Sequence, residues 1–284
     1  MKPTVFVTGH RGLFGSSLLR IYRDRFDVVT FDGDIGDHAT LAAWGADKHV
    51  DAVIHAAAMT DINLCETERE RCFRSNVTGT RNIRDLAKAK GAKLIYISTS
   101  AVFPGDTGNY HEQDLPYPKN YYNITKYLGE IVASEYEGAT VIRMVLLGIH
   151  PEGSRGRSLI EFFIDSARAN RDLKLFTDLK LNALSTWTTA EILAQMIERK
   201  LSPAMLHLGS SDVVSKAEIG RMVLGYFPDY SGKITESTSD ELSAVAHRPK
   251  AMWLNIDEAE KLLGMKMPTM KEEIEKIYEN DKNR

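Results

Sequence analysis

The sequence has few cysteines and little net charge. Among its 284 residues only Cys65 and Cys72 are cysteines, and no cysteine–histidine cluster has the spacing of a zinc site. We therefore expect two reduced thiols on a helix rather than a disulfide, and no metal site. The formal net charge of −3 gives no reason to expect nucleic-acid binding by bulk electrostatics.

Long apolar runs are missing as well. No stretch is long enough to cross a membrane, and residues 1–3 lead straight into a strand pattern without a signal peptide. These absences predict a soluble, cytoplasmic protein with no membrane partner. Internal repeats and flexible linkers are absent too, and a chain of 284 residues can bury the core of one large α/β unit with a smaller lobe.

A strand pattern, a glycine-rich turn and a helix pattern follow one another near the N-terminus. In such a turn the glycines permit a tight bend, a close approach to a pyrophosphate and close packing of helix on strand. The spacing is Gly-x-x-Gly-x-x-Gly rather than Gly-x-Gly-x-x-Gly, and an ordinary turn is the alternative, but its place after the first strand favours dinucleotide binding. The expected cofactor contacts are Gly9, Arg11, Gly12, Leu13, Phe14 and Gly15.

The second strand pattern, residues 27–31, ends at an acidic residue. Asp32 can accept hydrogen bonds from the adenosine ribose hydroxyls, which favours NAD, although turn-forming residues also surround it. Arg11 keeps NADP open, because a guanidinium group in the glycine turn can bind a 2′-phosphate. We favour NAD and expect Asp32, Asp34 and Ile35 to contact the cofactor.

Two tyrosine–lysine pairs have the i, i+4 spacing that places both side chains on one helix face. They are Tyr122 with Lys126 and Tyr278 with Lys282. A neighbouring ammonium group can lower the pKa of a phenol from its usual value of about 10, which would make the phenol a useful general acid or base. The second pair lies among glutamates and is predicted to be a solvated helix face.

Strand and helix patterns alternate through the first half of the chain. Strand patterns at 51–58, 93–98 and 139–144 are separated by helix patterns at 71–89 and 121–136. This order predicts a parallel sheet with ligands at the carboxyl ends of its strands. Residues at those ends include Ala56, Ala57 and Ala58, which we expect to contact the cofactor, and Thr99 and Ser100, which we expect to contact the substrate.

We therefore predict an α/β fold with a Rossmann-like, doubly wound parallel sheet and a smaller C-terminal α/β substrate lobe. The predicted NAD(P)-binding domain comprises residues 1–148 together with about 182–208. The predicted substrate lobe comprises about 149–181 and 209–284.

Several motifs, taken in order, resemble the extended short-chain dehydrogenase/reductase family over nearly the whole chain. They are Gly9-x-x-Gly12-x-x-Gly15, Asp34-Ile35, Asp51-x-Val53-x-His55-x-Ala57-Ala58, Asn76-x-x-Gly79-Thr80, Ser98-Thr99-Ser100-Ala101-Val102-Phe103, Tyr122-x-x-x-Lys126-x-x-Gly129-Glu130, and Arg143 with Gly148. Within the family, the segments 110–118 and 246–249 are most similar to the dTDP-4-dehydrorhamnose reductase subfamily. The region after about residue 148 matches more loosely.

The resemblance implies that Thr99, Tyr122 and Lys126 form the family's Ser/Thr-Tyr-Lys triad. Tyr122 would protonate the developing alkoxide while Thr99 donates a hydrogen bond to the same oxygen. Lys126 would lower the pKa of the tyrosine and bind the nicotinamide ribose. Asn76 would support a proton relay behind the cofactor, or cap a helix.

Departures from other family members narrow the expected reaction. Sugar-nucleotide 4,6-dehydratases carry an Asp-Glu pair where this chain has Ser100-Ala101, and GDP-fucose synthase carries a catalytic cysteine at the position of Ala101. The resemblance therefore implies NAD(P)H-dependent reduction of a nucleotide-activated 4-keto-6-deoxy sugar. An NAD-dependent sugar-nucleotide epimerase and a non-catalytic, cofactor-binding regulatory subunit are the alternatives.

Arginines in the second half of the chain are candidates for binding a sugar diphosphate, because guanidinium pairs bidentately with phosphate oxygens. They are Arg155, Arg157, Arg171 and Arg248, and we select Arg155 and Arg248 as substrate contacts. The expected partner is a nucleotide-sugar substrate, and a homodimer is left open.

Overall fold

The strands of the computed structural model, which describes residues 2–154, 156–241 and 249–281, form one large sheet and several small ones. In chain order they are β1 (Thr4–Thr8), β2 (Asp27–Thr30), β3 (Ala52–His55), β4 (Lys93–Ile97), β5 (Ala139–Met144), β6 (Leu146–Leu147), β7 (Leu173–Phe176), β8 (Lys180–Leu181), β9 (Leu184–Ser185), β10 (Met205–Leu208), β11 (Val214–Ser215), β12 (Ile234–Ser237) and β13 (Ala251–Met252).

The large sheet has the order β10-β5-β4-β3-β1-β2, and all of its neighbouring strands are parallel. The winding direction reverses between β1 and β3. In open α/β sheets, ligands bind outside the carboxyl ends of the strands at such a reversal. The predicted α/β, Rossmann-like parallel sheet is confirmed.

Helices cover both faces of this sheet. In chain order, the α-helices of the described residues, including those that pack away from this sheet, are α1 (Leu13–Tyr22), α2 (His38–Gly45), α3 (Ile62–Thr67), α4 (Arg69–Phe73), α5 (Gly79–Lys90), α6 (Tyr121–Ser134), α7 (Leu159–Arg168), α8 (Thr186–Glu198), α9 (Lys216–Leu224), α10 (Asp257–Leu263) and α11 (Met270–Asp281). A π-helical turn, Arg74–Thr78, joins α4 to α5, so the segment 71–89 is helical throughout, as predicted, and contains one π-turn. Within the described residues, no helix combines the length and apolarity needed to span a bilayer.

The core of the sheet is divided between its two faces. Because successive strand residues point to opposite faces, Val5 and Val7 pack in the cluster that contains residues of α1 and α8. Phe6 packs on the other face with residues of α2, α5 and α6. All three side chains are fully buried. Burial on both faces explains why the strands are continuous apolar runs rather than alternating patterns.

A separate hydrophobic cluster is built by the second half of the chain. It contains Phe163 from α7, Leu175 from β7, Ile219 from α9 and Ile274 from α11. The short strands β8, β11 and β13, which form a three-stranded sheet, also contribute residues to it. Helix α10 packs instead in the α1/α8 cluster of the large sheet.

Candidate active site

A cleft of about 870 Å³ lies along the carboxyl ends of the parallel strands. It brings together most of the residues that the sequence singled out, which come from the first 126 positions of the chain. They are Gly9, Arg11, Gly12, Leu13, Phe14, Gly15, Asp32, Asp34, Ile35, Ala56, Ala57, Ala58, Thr99, Tyr122 and Lys126. Their individual roles stay predictions.

The glycine turn is packed so closely that side chains cannot replace two of its glycines. Gly9 has a positive φ of 69°, and a Cβ there would lie 2.8 Å from the backbone of Ala57. A Cβ on Gly15 would lie 2.2 Å from the carbonyl oxygen of Gly9. The first turn of α1 contains no acidic residue, so the positive end of the helix dipole faces the cleft uncompensated. This arrangement fits a pyrophosphate.

Asp32, at the end of β2, is held by two residues of the glycine turn. The Arg11 guanidinium donates to its carboxylate at 2.6 Å, and His10 Nε2 lies 3.1 Å from the same oxygen. The side chains of Arg11 and Asp32 are exposed. The site therefore offers both an acceptor for ribose hydroxyls and a cation for a 2′-phosphate. Asp34 is engaged differently, by Arg74 at 3.0 Å.

Helix α6 positions the tyrosine and the lysine. Asn120 caps the helix by accepting a hydrogen bond from the backbone N–H of Asn123 at 2.8 Å, which places Tyr122 in the first turn. One turn later, Lys126 Nζ donates to the carbonyl oxygen of Ile97 at 2.7 Å. The ammonium group also lies 4.1 Å from the centre of the Tyr96 ring. Lys126 is thus anchored on the end of β4.

Burial dominates the electrostatics of this pair. It raises the pKa of the Tyr122 phenol, and it lowers the pKa of Lys126 to about 7 despite the neighbouring Glu130. The expectation that Lys126 lowers the tyrosine pKa is therefore not met in this geometry. The physical reason is desolvation of the phenol, followed by the nearby Cys65 and Cys72, while the Lys126 ammonium group is directed at Ile97. Tyr122 accordingly stays a protonated donor at neutral pH.

Thr99 caps the short 3₁₀ turn Ser100–Val102 at the end of β4. Its Oγ1 accepts a hydrogen bond from the backbone N–H of Ala101 at 3.1 Å, so its hydroxyl proton can be donated into the cleft. Ser100, predicted to contact the substrate, does not line this cleft. Its hydroxyl is buried and has no hydrogen-bond partner among the described residues. The other two predicted substrate contacts, Arg155 and Arg248, lie outside the described residues.

Asn76 lies in the π-helical turn and does not cap a helix. Its amide oxygen accepts from Met59 N at 2.8 Å, and its amide nitrogen donates to Met59 O at 3.1 Å and to Thr125 Oγ1 at 3.0 Å. The side chain is buried, and it is not among the residues lining the cleft. Asn76 therefore braces the loop after β3 against α6.

The two cysteines lie close to α6, where Cys72 Sγ is 3.4 Å from Thr125 Oγ1. Cys65 and Cys72 are buried and unpaired, as expected, with their sulfur atoms 2.9 Å apart. Burial raises the pKa of the Cys65 thiol, which makes it a poor nucleophile. In the part of the chain that the structure describes, no group of three or more histidine, cysteine or acidic side chains could hold a metal ion.

One wall of the cleft was not anticipated. It follows β5 and comprises Met144, Val145, Leu146, His150, Gly156, Arg157, Ser158 and Leu159. The first three residues of this wall, Met144, Val145 and Leu146, could have been predicted from the position of β5 next to β4. Ligands bind at the carboxyl ends of such parallel strands, and these residues lie at the carboxyl end of β5. The return of His150, Gly156, Arg157, Ser158 and Leu159 to the cleft is a tertiary feature without a local sequence signal. Of these residues, the sequence indicates Arg157 alone as a candidate phosphate ligand, and it is not one of the two selected substrate contacts.

The sequence is similar to a known protein family and to several characterised proteins. The family described as "RmlD substrate binding domain" matches residues 1–283. The probable low-salt glycan biosynthesis reductase Agl14 of Haloferax volcanii is 25% identical over 95% of either chain. The methionine adenosyltransferase 2 subunit beta of Xenopus laevis is also 25% identical, over 92% of this chain and 83% of that protein.

A solved structure is similar over its full length. The dTDP-4-dehydrorhamnose reductase of Bacillus anthracis, in complex with NADP, has a TM-score of 0.90 at 25% identity and covers 99% of this chain and 100% of its own. The resemblance to extended short-chain dehydrogenases/reductases of the sugar-nucleotide reductase type is thereby confirmed. Because the family match spans residues 1–283, the chain belongs to the RmlD substrate binding domain family.

Proposed function

We propose that this protein is an oxidoreductase that uses NADH or NADPH to reduce the 4-keto group of a nucleotide-activated 6-deoxy sugar. One observation carries the proposal: the glycine turn and the side chains of Thr99, Tyr122 and Lys126 line a single cleft. The reductases named among its relatives support the reaction class, and dTDP-4-dehydrorhamnose is the substrate that the solved relative's name suggests.

The residues of the cleft fit a nicotinamide dinucleotide. The glycine turn would hold the pyrophosphate, and Asp32 and Arg11 would hold the adenosine ribose. Ala56, Ala57 and Ala58 also line the cleft and would contact the cofactor. Lys126 would hold the nicotinamide ribose. When bound, the cofactor supplies a hydride to the sugar carbon.

The chain's own contribution to the chemistry is a proton and a preorganised donor. Tyr122, whose raised pKa keeps it protonated, would give its phenolic proton to the oxygen on which negative charge develops. Thr99 would donate a second hydrogen bond to that oxygen, because the bond that its Oγ1 accepts from Ala101 N leaves the hydroxyl proton available for donation. Asn76 would keep α6 in place through Thr125.

We further propose that residues 1–148 with about 182–208 bind the cofactor, whereas about 149–181 and 209–284 bind the sugar nucleotide. The separate hydrophobic cluster of α7, α9 and α11 supports such a lobe. The preference for NAD over NADP and a homodimeric state stay predictions. The paired Arg11 and Asp32 are compatible with either cofactor.

A non-catalytic regulatory subunit is the second candidate, because a methionine adenosyltransferase subunit is a similarly distant relative. Steady-state assays with dTDP-4-dehydrorhamnose and NADH or NADPH distinguish the two. Oxidation of the cofactor in proportion to product supports the reductase. Isomerisation of the sugar without cofactor consumption would indicate an epimerase. Cofactor binding without turnover of any nucleotide 4-keto sugar would overturn the proposal.

A further inference from the structure

The segment between β6 and α7 lies beside the glycine turn. Ser158 Oγ donates to the carbonyl oxygen of Gly148 at 2.6 Å, which closes the segment into a loop. A Cβ on Gly148 would lie 2.9 Å from Thr186 and 3.4 Å from Leu13, the first residue of α1. The loop therefore lies next to the helix whose N-terminus faces the cleft.

His150 of this loop is held in a fixed orientation by a buried carboxylate. Its Nδ1 lies 2.6 Å from Glu161 Oε2, and the same carboxylate oxygen accepts from Ser158 N at 2.7 Å. Burial by itself would raise the pKa of Glu161, but the hydrogen bonds from His150 and Ser158 outweigh burial and lower it. Glu161 is therefore ionised, and Nδ1 of His150 carries a proton.

The other nitrogen of His150 is left open beside a glycine. A side chain at position 156 would bring its Cβ within 3.1 Å of His150 Nε2, and Gly156 avoids this. Both residues line the cleft. Arg157, next in the chain, also lines it, and its ion pairs with described residues are long, at 3.4 Å to Asp165 and 3.8 Å to Glu161. This wall thus presents an imidazole nitrogen and a guanidinium group to the cleft.

We propose that His150, oriented by Glu161, binds a diphosphate group together with Arg157 and takes up a proton when it does so. The proposal rests on the proposed function, since that function brings two diphosphates to this cleft, one in the sugar nucleotide and one in the cofactor. With Nδ1–H donated to Glu161, neutral His150 offers only an acceptor at Nε2. Binding of a phosphate oxygen therefore requires the imidazolium form, which the flanking carboxylate and phosphate both favour.

Other ionisable groups line the cleft, and their charges also influence the protonation of His150. Apart from Glu161 and Arg157, they are His10, Arg11, Asp32, Asp34, Asp61, Tyr122 and Lys126. A variant that removes only His150 leaves all of them in place. The difference between the wild type and that variant therefore isolates the contribution of His150.

Isothermal titration calorimetry of the full-length protein tests the proposal, with dTDP and NADP⁺ as separate probes. Titrations in two buffers of different ionisation enthalpy give the number of protons taken up. We expect His150→Gln to weaken the binding of one probe by about tenfold or more, as for loss of a charge-assisted hydrogen bond, and to remove its proton uptake. The probe that loses affinity identifies which diphosphate His150 binds.

Two further variants complete the design. Glu161→Gln keeps the helix-capping geometry but removes the charge, and should lower proton uptake at neutral pH and weaken the same probe. His49→Gln is the matched control, because His49 also pairs with a carboxylate, Asp51 at 3.1 Å, but does not line the cleft. It should bind both probes as the wild type does.

The outcomes separate this inference from the proposed function. If the wild type binds both probes and His150→Gln binds them within twofold and with unchanged proton uptake, the inference is wrong and the proposed function stands. If the wild type binds neither probe, the inference is wrong, and the turnover assays with NADH and NADPH decide the proposed function. Unchanged near-ultraviolet circular dichroism of His150→Gln shows that any loss of binding is not a loss of fold.

Discussion

The ammonium group of Lys126 donates a hydrogen bond of 2.7 Å to the main-chain carbonyl of Ile97. This contact joins α6 to the end of β4, two residues before Thr99, and holds the lysine in a buried position. The relative placement of the helix residue Tyr122 and the strand-end residue Thr99 therefore depends on a charged side chain in a poorly solvated place.

Replacing Lys126 by methionine should change the pH dependence of stability. The pKa of Lys126 is about 7 in the folded protein and about 10.5 in the unfolded chain, so between these values only the unfolded chain holds the proton. The free energy of unfolding of the wild type should therefore rise from pH 7 to 10 relative to that of Lys126→Met. Urea titrations at several pH values measure this difference, and parallel curves for the two proteins would refute it.

Replacing Tyr122 by phenylalanine should remove the proton donor without disturbing the cofactor site. We expect turnover to fall by about 100-fold or more, while the dissociation constant of the cofactor stays nearly unchanged. Tyr278→Phe is the matched control, because Tyr278 has the same spacing to a lysine but stacks on Tyr226, with ring centres 4.1 Å apart. Equal losses of turnover in both variants would show that the choice between the two tyrosines is wrong.

Replacing Thr99 by valine should remove the second hydrogen bond to the substrate oxygen. The expected loss in kcat is about 100- to 1,000-fold, the range for removal of one preorganised donor. Thr99→Ser keeps the hydroxyl and should retain most of the activity. A Thr99→Val enzyme with normal kcat would mean that the hydroxyl only caps the following turn, through its bond with Ala101 N.

The contact between Arg11 and Asp32 should set cofactor preference. Arg11→Ala removes the guanidinium group that contacts Asp32. It should therefore lower kcat/KM for NADPH relative to NADH. Asp32→Asn removes the repulsion of a 2′-phosphate and should shift the ratio in the opposite direction. Shifts in the same direction in both variants would contradict these roles.

Stability should depend strongly on the buried pair of Glu130 and Arg143. Arg143 donates three hydrogen bonds to Glu130, two from Nε and one from Nη2, and both side chains are almost fully buried. Glu130→Gln leaves the guanidinium group buried without its counter-charge and should cost about 3–5 kcal/mol.

The control for this prediction is an exposed pair. Asp47→Asn at the surface pair with Lys48 should leave the free energy of unfolding nearly unchanged, because solvent screens the exposed Asp47 carboxylate. Chemical denaturation of both variants checks the contrast. Similar costs at the two sites would contradict the role assigned to burial.

Local patterns made much of the site predictable. The glycine turn, Asp32 and the pair of Tyr122 and Lys126 each depend on a few neighbouring residues, whose spacing fixes strand ends and helix faces. Parallel strands then bring these positions to one edge of the sheet, as the topology requires. The helix pattern over 71–89 is confirmed, but it does not indicate the π-helical form of Arg74–Thr78, where Asn76 makes tertiary contacts with Met59 and Thr125.

Features that depend on burial or on the return of a distant segment were not predictable. The spacing of Tyr122 and Lys126 indicates proximity, but it does not show that Lys126 is directed at Ile97 or that desolvation controls both pKa values. Likewise, nothing local in the sequence around His150 indicates that Glu161 orients it towards the cleft.

Deuterium transfer tests the central claim most directly. The protein is incubated with dTDP-4-dehydrorhamnose and NADPH or NADH in which both hydrogens at nicotinamide C4 are deuterium, and the sugar product is examined by NMR and mass spectrometry. We expect one deuterium at C4 of the sugar for each cofactor oxidised, with transfer by Tyr122→Phe slower by about 100-fold or more. A product without deuterium, or an isomerised sugar formed while the cofactor is unchanged, would contradict the assignment of this cleft to net hydride transfer.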